Sequence, residues 1–139
     1  MFIDEKQILE EAVDGIIAAD EIGQIVFSNA AAESALRRPL PKGTPLADIM
    51  PVRLRSGHHN GFDRYVKSGK SNLEGKTVRV PALGADGQEH DIDLTIRIFQ
   101  RPDGSRLAVA SVLLAASGNA SEGLLVIESK LAARAYQLL

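Results

Sequence analysis

In the stretch "DIDLTIRI", residues 91–98, hydrophobic side chains alternate strictly with polar ones, and this pattern is the clearest indication of the fold. Ile92, Leu94, Ile96 and Ile98 occupy every second position, and an aspartate, threonine or arginine stands beside each of them. Successive side chains of a β-strand point to opposite faces of the sheet. A period of two over this length therefore predicts a strand with one buried face and one solvated face.

Turn signals on either side of this strand predict an antiparallel meander. The residues "ADG" at 85–87 precede the strand, and "RPDGS" at 101–105 follow it. In the second turn, proline fixes φ and glycine supplies a positive φ. The neighbouring stretches "TVRV" at 77–80 and "RLAVASVLLAA" at 106–116 are the two other strands of the meander.

A β-hairpin and a short helix are predicted in the first third of the chain. Two apolar runs, 15–19 and 24–27, flank a polar turn that contains Gly23, a pattern typical of paired strands. Asn29 precedes the alanine-rich run "AAAESALRR", which Pro39 must end. Asparagine is a favoured N-cap because its side-chain oxygen accepts from free backbone N–H groups. We therefore expect Asn29 to begin the helix.

Two further helices are predicted before the meander. Residues 4–13 place Ile8, Leu9 and Val13 on one stripe, which must be buried against another surface. The proline-rich segment 39–51 is expected to be a loop with one helical turn around 46–50, and a helix is expected from Val52 to Lys67. The apolar stripe of that helix is Phe62, Tyr65 and Val66.

The last segment of the chain is predicted to be a linker followed by a helix. The linker-like residues are 117–123, and the helical pattern then runs to the end of the sequence. Leu124, Leu131 and Leu138 recur every seven residues, although Arg134 interrupts the seam between them. A short coiled coil is therefore an alternative that the sequence leaves open for this segment.

Composition restricts the class of protein. The 139 residues suit one domain, and 45% hydrophobic with 24% charged residues is ordinary for a globular chain. The absence of cysteine excludes disulfides, thiolate zinc sites and cysteine-linked cofactors. The acidic N-terminal stretch is unlike a signal peptide, and no apolar run approaches the roughly 18 residues of a membrane helix. We therefore expect a single cytoplasmic domain.

The order of elements and motifs resembles a PAS domain, a small sensor fold of signalling proteins, over about residues 6–116. "DGIIAADEIGQIVFSNAAAESAL" is similar to the family's opening, in which a strand pair leads to an asparagine that starts a helix, here Asn29. "LADIMPVRLRSGHHNGFDRYVKSGKSNLEGKTVRV" resembles its middle, and "GADGQEHDIDLTIRIF" resembles its turn and penultimate strand. One departure is that "ASVLLAASG" lacks the acid of the Asp-Ile-Thr-like triplet that commonly ends the last strand.

The resemblance implies an α+β fold, namely a five-stranded antiparallel sheet with helices on one face enclosing a small pocket. The corresponding division is an N-terminal amphipathic helix at 1–13, the PAS-like sensor domain at 14–116, and a linker with a C-terminal flanking helix at 117–139. The implied function is a sensor or signal-transduction module, not an enzyme, in a bacterial two-component or transcriptional system. The alternative is a ligand-free module for protein interaction and dimerisation.

Two adjacent histidines, His58 and His59, are the obvious candidates for chemistry. Neighbouring positions on a helix point about 100° apart, whereas two ligands of one metal ion favour i, i+4 spacing, so we expect no metal site. Some PAS domains hold haem by a histidine in the helix before the third strand, and Asn72 occupies that place here. An amide cannot replace the imidazole. Haem bound through either histidine stays the third option.

Other activities have less support. No cysteine stands in the helix after Asn29, which excludes covalent flavin photochemistry, while non-covalent flavin stays open. The basic stretch 52–70 lacks nucleic-acid-binding motifs, so it is expected to be a solvated helix face or a rim for an anionic ligand. Asp91 and Asp93 lie on the wet face of their strand, where charges oppose edge pairing.

The pocket is predicted to lie between the helix 52–67 and the sheet, and the cofactor, if there is one, stays unknown. The expected partners are a second copy bound through the N-terminal helix, an unidentified signalling partner or output domain, and a small molecule. No nucleic acid and no membrane are expected. The candidate binding residues are His58, His59, Phe62, Tyr65, Asn72, Leu94 and Ile96.

Overall fold

The computed structural model describes residues 5–71 and 73–115. Two short 3₁₀ helices, Leu46–Ile49 and Val52–Leu54, accompany the main elements. The helices and strands are α1 (Glu5–Glu11), β1 (Gly15–Ala19), β2 (Ile25–Ser28), α2 (Ala30–Leu36), α3 (Arg55–Ser68), β3 (Thr77–Leu83), β4 (Glu89–Gln100) and β5 (Arg106–Leu114). The predicted linker and terminal helix of 117–139, with their heptad leucines, lie outside the described residues, as does Asn72.

The five strands form one antiparallel sheet with the order β2-β1-β5-β4-β3. The hairpin predicted near the start is β1–β2, and the predicted meander is β3–β4–β5. The two units join where β1 pairs with β5, so that Gly15 lies opposite Val112. The predicted α+β fold with a five-stranded antiparallel sheet is therefore confirmed.

The alternation in β4 separates the two faces of the sheet. Ile92, Leu94 and Ile96 are buried in the core beneath the helices. On the other face, Asp93 lies opposite Arg79 of β3 and accepts two hydrogen bonds from its guanidinium, at 2.8 and 3.1 Å. The charges expected on a wet face are thus partly organised into a cross-strand ion pair.

Asn29 caps α2, as the sequence predicts, and also makes three longer-range contacts. Its Oδ1 accepts from the backbone N–H of Ala32 at 3.0 Å and from that of Ile16 at 2.9 Å. Its Nδ2 donates to the carbonyls of Leu9, at 2.8 Å, and Asp14, at 3.0 Å. This buried side chain therefore joins α1, β1 and α2.

The first helix is shorter than the stripe in the sequence predicts. It ends at Glu11, so Val13 lies beyond it and is 92% exposed. The Leu9 carbonyl, one of the last in the helix, accepts from Asn29 instead of remaining unsatisfied. This contact holds the end of α1 to the domain although no residue of the helix is buried.

Close packing of α2 on β1 depends on Gly15. A Cβ at this position would lie 2.7 Å from the Val112 carbonyl oxygen and 2.8 Å from the Cα of Ala32. Both neighbours are backbone atoms, which cannot rotate away. Glycine therefore allows the helix and the central strands to approach more closely than any other residue would.

The helix α3 is fixed to the sheet at its C-terminal end. Gly69 ends the helix with a φ of 74°, and its N–H donates to the Tyr65 carbonyl at 2.7 Å. The Arg106 guanidinium of β5 donates to the Val66 carbonyl at 2.8 Å. The buried stripe of α3 includes the expected Phe62 and Tyr65, while Val66 is only half-buried.

Candidate functional site

A cavity of about 80 Å³ lies between α3 and the inner face of the sheet. Phe62 and Tyr65 line it from the helix, and Leu94 and Ile96 line it from β4. Its walls are almost entirely hydrocarbon, and the described residues that line it include no aspartate, glutamate, lysine or arginine. The site is therefore suited to an apolar guest.

His58 is one of the few polar groups at the cavity. The residue is 6% exposed, and its ring centroid lies 5.6 Å from that of Phe62. Burial lowers the pKa of His58 to about 4, and the neighbouring His59 adds a smaller effect in the same direction. The imidazole is consequently neutral at pH 7.

Tyr65 also lines the cavity. The residue is 2% exposed, and its ring meets Phe62 edge-on with the centroids 5.4 Å apart. The hydroxyl is buried and has no hydrogen-bond partner among the described residues. The pKa of Tyr65 is raised mainly by burial and also by Glu21, while Arg106 acts in the opposite direction.

Five of the seven predicted site residues line the cavity: His58, Phe62, Tyr65, Leu94 and Ile96. The structure does not bring His59 to the cavity. Its side chain is 77% exposed, and its Nε2 lies 3.7 Å from Oδ2 of Asp63 on the solvent side of α3. The 100° step between helical neighbours accounts for the different positions of the two histidines. Ligand binding by the five lining residues stays a prediction.

Sequence reasoning missed the small residues that leave the cavity open. Ala108 and Ala110 of β5, Ala19 of β1 and Ala82 of β3 all line it. Alanine at inward positions replaces the larger side chains that would otherwise fill the space under α3. The available signal was the placement of Ala108 and Ala110 two residues apart, on the same face as Val112.

Haem and flavin do not fit the cavity in this conformation. An engineered cavity of about 150 Å³ holds a benzene molecule, and the cavity here has about 80 Å³. Either cofactor would require α3 to move away from the sheet. His58 is a neutral imidazole at pH 7. Within the described ranges, no group of three or more histidine, aspartate or glutamate side chains is arranged to hold a metal ion.

No helix in the described part of the chain combines the length and the hydrophobicity needed to cross a membrane.

No family model matches the sequence. An uncharacterised protein of Azorhizobium caulinodans is 34% identical over 110 residues, which is 77% of this chain. The chain spans 15% of the length of that relative.

Several solved structures have a fold similar to that of this chain. A PAS domain from a two-component sensor histidine kinase is 11% identical and superposes with a TM-score of 0.59, covering 78% of this chain and 90% of that domain. A PAS domain of a protein from Desulfitobacterium hafniense is 14% identical with a TM-score of 0.61, covering 77% of this chain and 97% of that domain. With its five-stranded antiparallel sheet and the helices packed on it, this chain therefore has the PAS fold.

Proposed function

We propose that the chain is a non-enzymatic sensor module that binds a small molecule between α3 and the sheet. The hydrocarbon-lined cavity carries the proposal, because protein interiors are otherwise packed with few voids larger than a water molecule. The similarity to a PAS domain of a two-component sensor histidine kinase supports a role in signalling. Occupancy would act by shifting the population of two arrangements of the segments that flank the domain.

A chain of direct contacts is available to carry this shift. Ile17 lines the cavity, and the adjacent Ile16 is bonded through its N–H to Asn29. Asn29 in turn holds the Leu9 carbonyl near the end of α1. A movement of β1 on ligand binding would therefore reach α1 through one buried side chain.

Mass spectrometry of the purified protein tests the sensor proposal. We expect a small molecule to be present under native conditions and to be recovered on solvent extraction. The control variant is Ala110→Leu, which places a larger side chain in the cavity and is expected to abolish the adduct while the fold, followed by circular dichroism, persists. A clean native spectrum, together with no response of the wild type to any added small molecule, would rule against the sensor.

An interaction module is the second candidate, because the outer face of the sheet exposes large hydrophobic side chains. On this face Phe99 is 52% exposed and Leu113 is 45% exposed. A cleft on this face lies between Phe99 and the segment that contains Leu9 and Val13. We propose that a second copy of the chain covers this surface and forms a homodimer through the N-terminal segment.

Replacing Leu9 and Val13 together by aspartate is expected to convert the dimer into monomers, since the charges would be buried without partners in the interface. Sedimentation velocity measures the change. Ile22→Asp is the matched control, because Ile22 is 79% exposed and lies in the β1–β2 turn, away from the cleft. An unchanged dimer in the double variant would contradict this interface.

A further inference from the structure

A row of small side chains crosses the inner face of the sheet beneath α3. Ala108 of β5 lies opposite Ala19 of β1 on one side and opposite Ile98 of β4 on the other. Ala110 follows two residues later on the same face of β5, and all four residues line the cavity. Alanine has no side-chain atom beyond Cβ, so two paired alanines beside a third leave space that larger residues would fill.

Aromatic rings of α3 form the opposite wall of the cavity. Phe62 and Tyr65 both line it, with their rings packed edge-on against each other. The Phe62 ring also reaches the β1–β2 turn, because a Cβ on Gly23 would lie 3.7 Å from its Cε1. A guest would therefore be held between methyl groups of the sheet and the rings of the helix, which are contacts that suit hydrocarbon.

The polar groups of the described lining residues offer a guest little hydrogen bonding. The Tyr65 hydroxyl has almost no accessible surface. Ser71 accepts a hydrogen bond through its Oγ from the Leu73 N–H at 3.2 Å. A water molecule in a protein cavity ordinarily has two to four polar partners, which walls made almost entirely of hydrocarbon do not supply. The space therefore favours an apolar guest over water or a polar molecule.

The walls also disfavour a charged guest. Among the described residues that line the cavity there is no acidic or basic side chain, and His58 is neutral at pH 7. An ion would lose its hydration without gaining a counter-ion. Arg64 and Lys67 of α3 are exposed and do not line the cavity. The basic stretch is therefore no rim for an anion at this site.

The volume restricts the size of the guest. A cavity of about 80 Å³ is about half as large as the roughly 150 Å³ cavity that holds benzene, which corresponds to about three or four non-hydrogen atoms. A diatomic gas would leave part of this space without contacts. We propose that the ligand is a hydrocarbon of this size and that Ala19, Ala108 and Ala110 set the upper limit. The proposal rests on the proposed sensor function.

Titration of the ¹⁵N-labelled 139-residue chain with five probes tests the ligand class by NMR. Four of them, 2-methylpropene, acetamide, acetate and acetamidinium, share one planar arrangement of non-hydrogen atoms and differ only in polarity and charge. Benzene is the larger apolar probe. We expect 2-methylpropene to shift the amides around the cavity, and acetamide to bind at least about tenfold more weakly. The two ions and benzene are expected to give no cavity shifts.

Three variants test the role of the alanine row. Ala108→Val fills the gap and is expected to abolish 2-methylpropene binding. Ser111→Val is the matched control, because Ser111 lies on the outer face of the same strand, and binding is expected to be unchanged. Ile98→Ala widens the row and is expected to admit benzene. A gain of binding cannot result from unfolding, so this variant keeps the test decisive even if circular dichroism shows that Ala108→Val is unfolded.

The other outcomes separate this proposal from the sensor function. Benzene binding to wild type, unchanged 2-methylpropene affinity in folded Ala108→Val, or no benzene binding to folded Ile98→Ala would overturn the size limit. Acetamide binding as tight as that of 2-methylpropene, or an ion bound in the cavity, would overturn the hydrocarbon class. In these cases the cavity would remain a binding site. Failure of all five probes to bind wild type would overturn both the ligand class and the proposed site.

Discussion

Asn29→Asp is expected to lower the free energy of unfolding by about 3 kcal/mol at pH 7. The substitution keeps the shape of the side chain and the oxygen that accepts from Ile16 and Ala32. It replaces the Nδ2 donor by a carboxylate oxygen, which then faces the carbonyls of Leu9 and Asp14. Two acceptors lose their donor, and a charge is buried beside them. Chemical denaturation followed by circular dichroism measures the difference.

Asn60→Asp is the matched control for this substitution. Asn60 is exposed on α3, so the same chemical change is expected to alter the free energy of unfolding by less than about 0.5 kcal/mol. Asn29→Asp should also recover part of its stability at low pH, because protonation neutralises the carboxylate and restores a donor. If Asn29→Asp were as stable as Asn60→Asp, the Asn29 hydrogen bonds that join α1, β1 and α2 would not contribute the expected stability to the fold.

Acidification from pH 7 to pH 4 is expected to cost about 3 kcal/mol through His58 alone. In the folded protein, burial lowers the pKa of His58 to about 4 from its ordinary 6.5. Between these values the unfolded chain binds a proton that the folded chain does not. The contribution to stability is therefore intact above pH 6.5 and is lost as the pH falls toward 4. Denaturation curves recorded over this range measure it.

The neighbouring histidine provides the control for this pH dependence. His58→Gln removes the titrating group, and the difference in unfolding free energy between wild type and this variant should change by about 3 kcal/mol from pH 7 to pH 4. His59→Gln should follow the wild-type profile closely, since its side chain is 77% exposed. Identical profiles for wild type and His58→Gln would show that His58 is not buried as a neutral imidazole in solution.

Local patterns in the sequence were sufficient to predict most of the fold. The alternation at residues 91–98 predicted β4, and the turn residues beside it predicted the meander. Asn29 was predicted as an N-cap because that contact spans three residues. Its bonds to Leu9 and Asp14 span 20 and 15 residues, and no local pattern reports them. The early end of α1 was missed for the same reason.

The site was predictable in part. Helical spacing showed that His58 and His59 point in directions about 100° apart, but it could not decide which of the two faces the sheet. The cavity itself depends on small side chains, namely those of alanines from three different strands, which meet only in the folded protein. The lack of a hydrogen-bond partner for the Tyr65 hydroxyl among the described residues is a property of the folded neighbourhood and has no signature in the sequence.

The pairing of β1 with β5 also determines how the domain responds to force. Because Gly15 lies opposite Val112, the chain enters the first strand and leaves the last one at the same end of the sheet. A pull on the two flanking segments would therefore unzip this ladder one hydrogen bond at a time, whereas a shearing load would have to break all of its bonds together. The domain is therefore expected to be mechanically soft toward a load applied at both flanking segments. Such a load would act first on the two central strands, which also form part of the wall of the cavity.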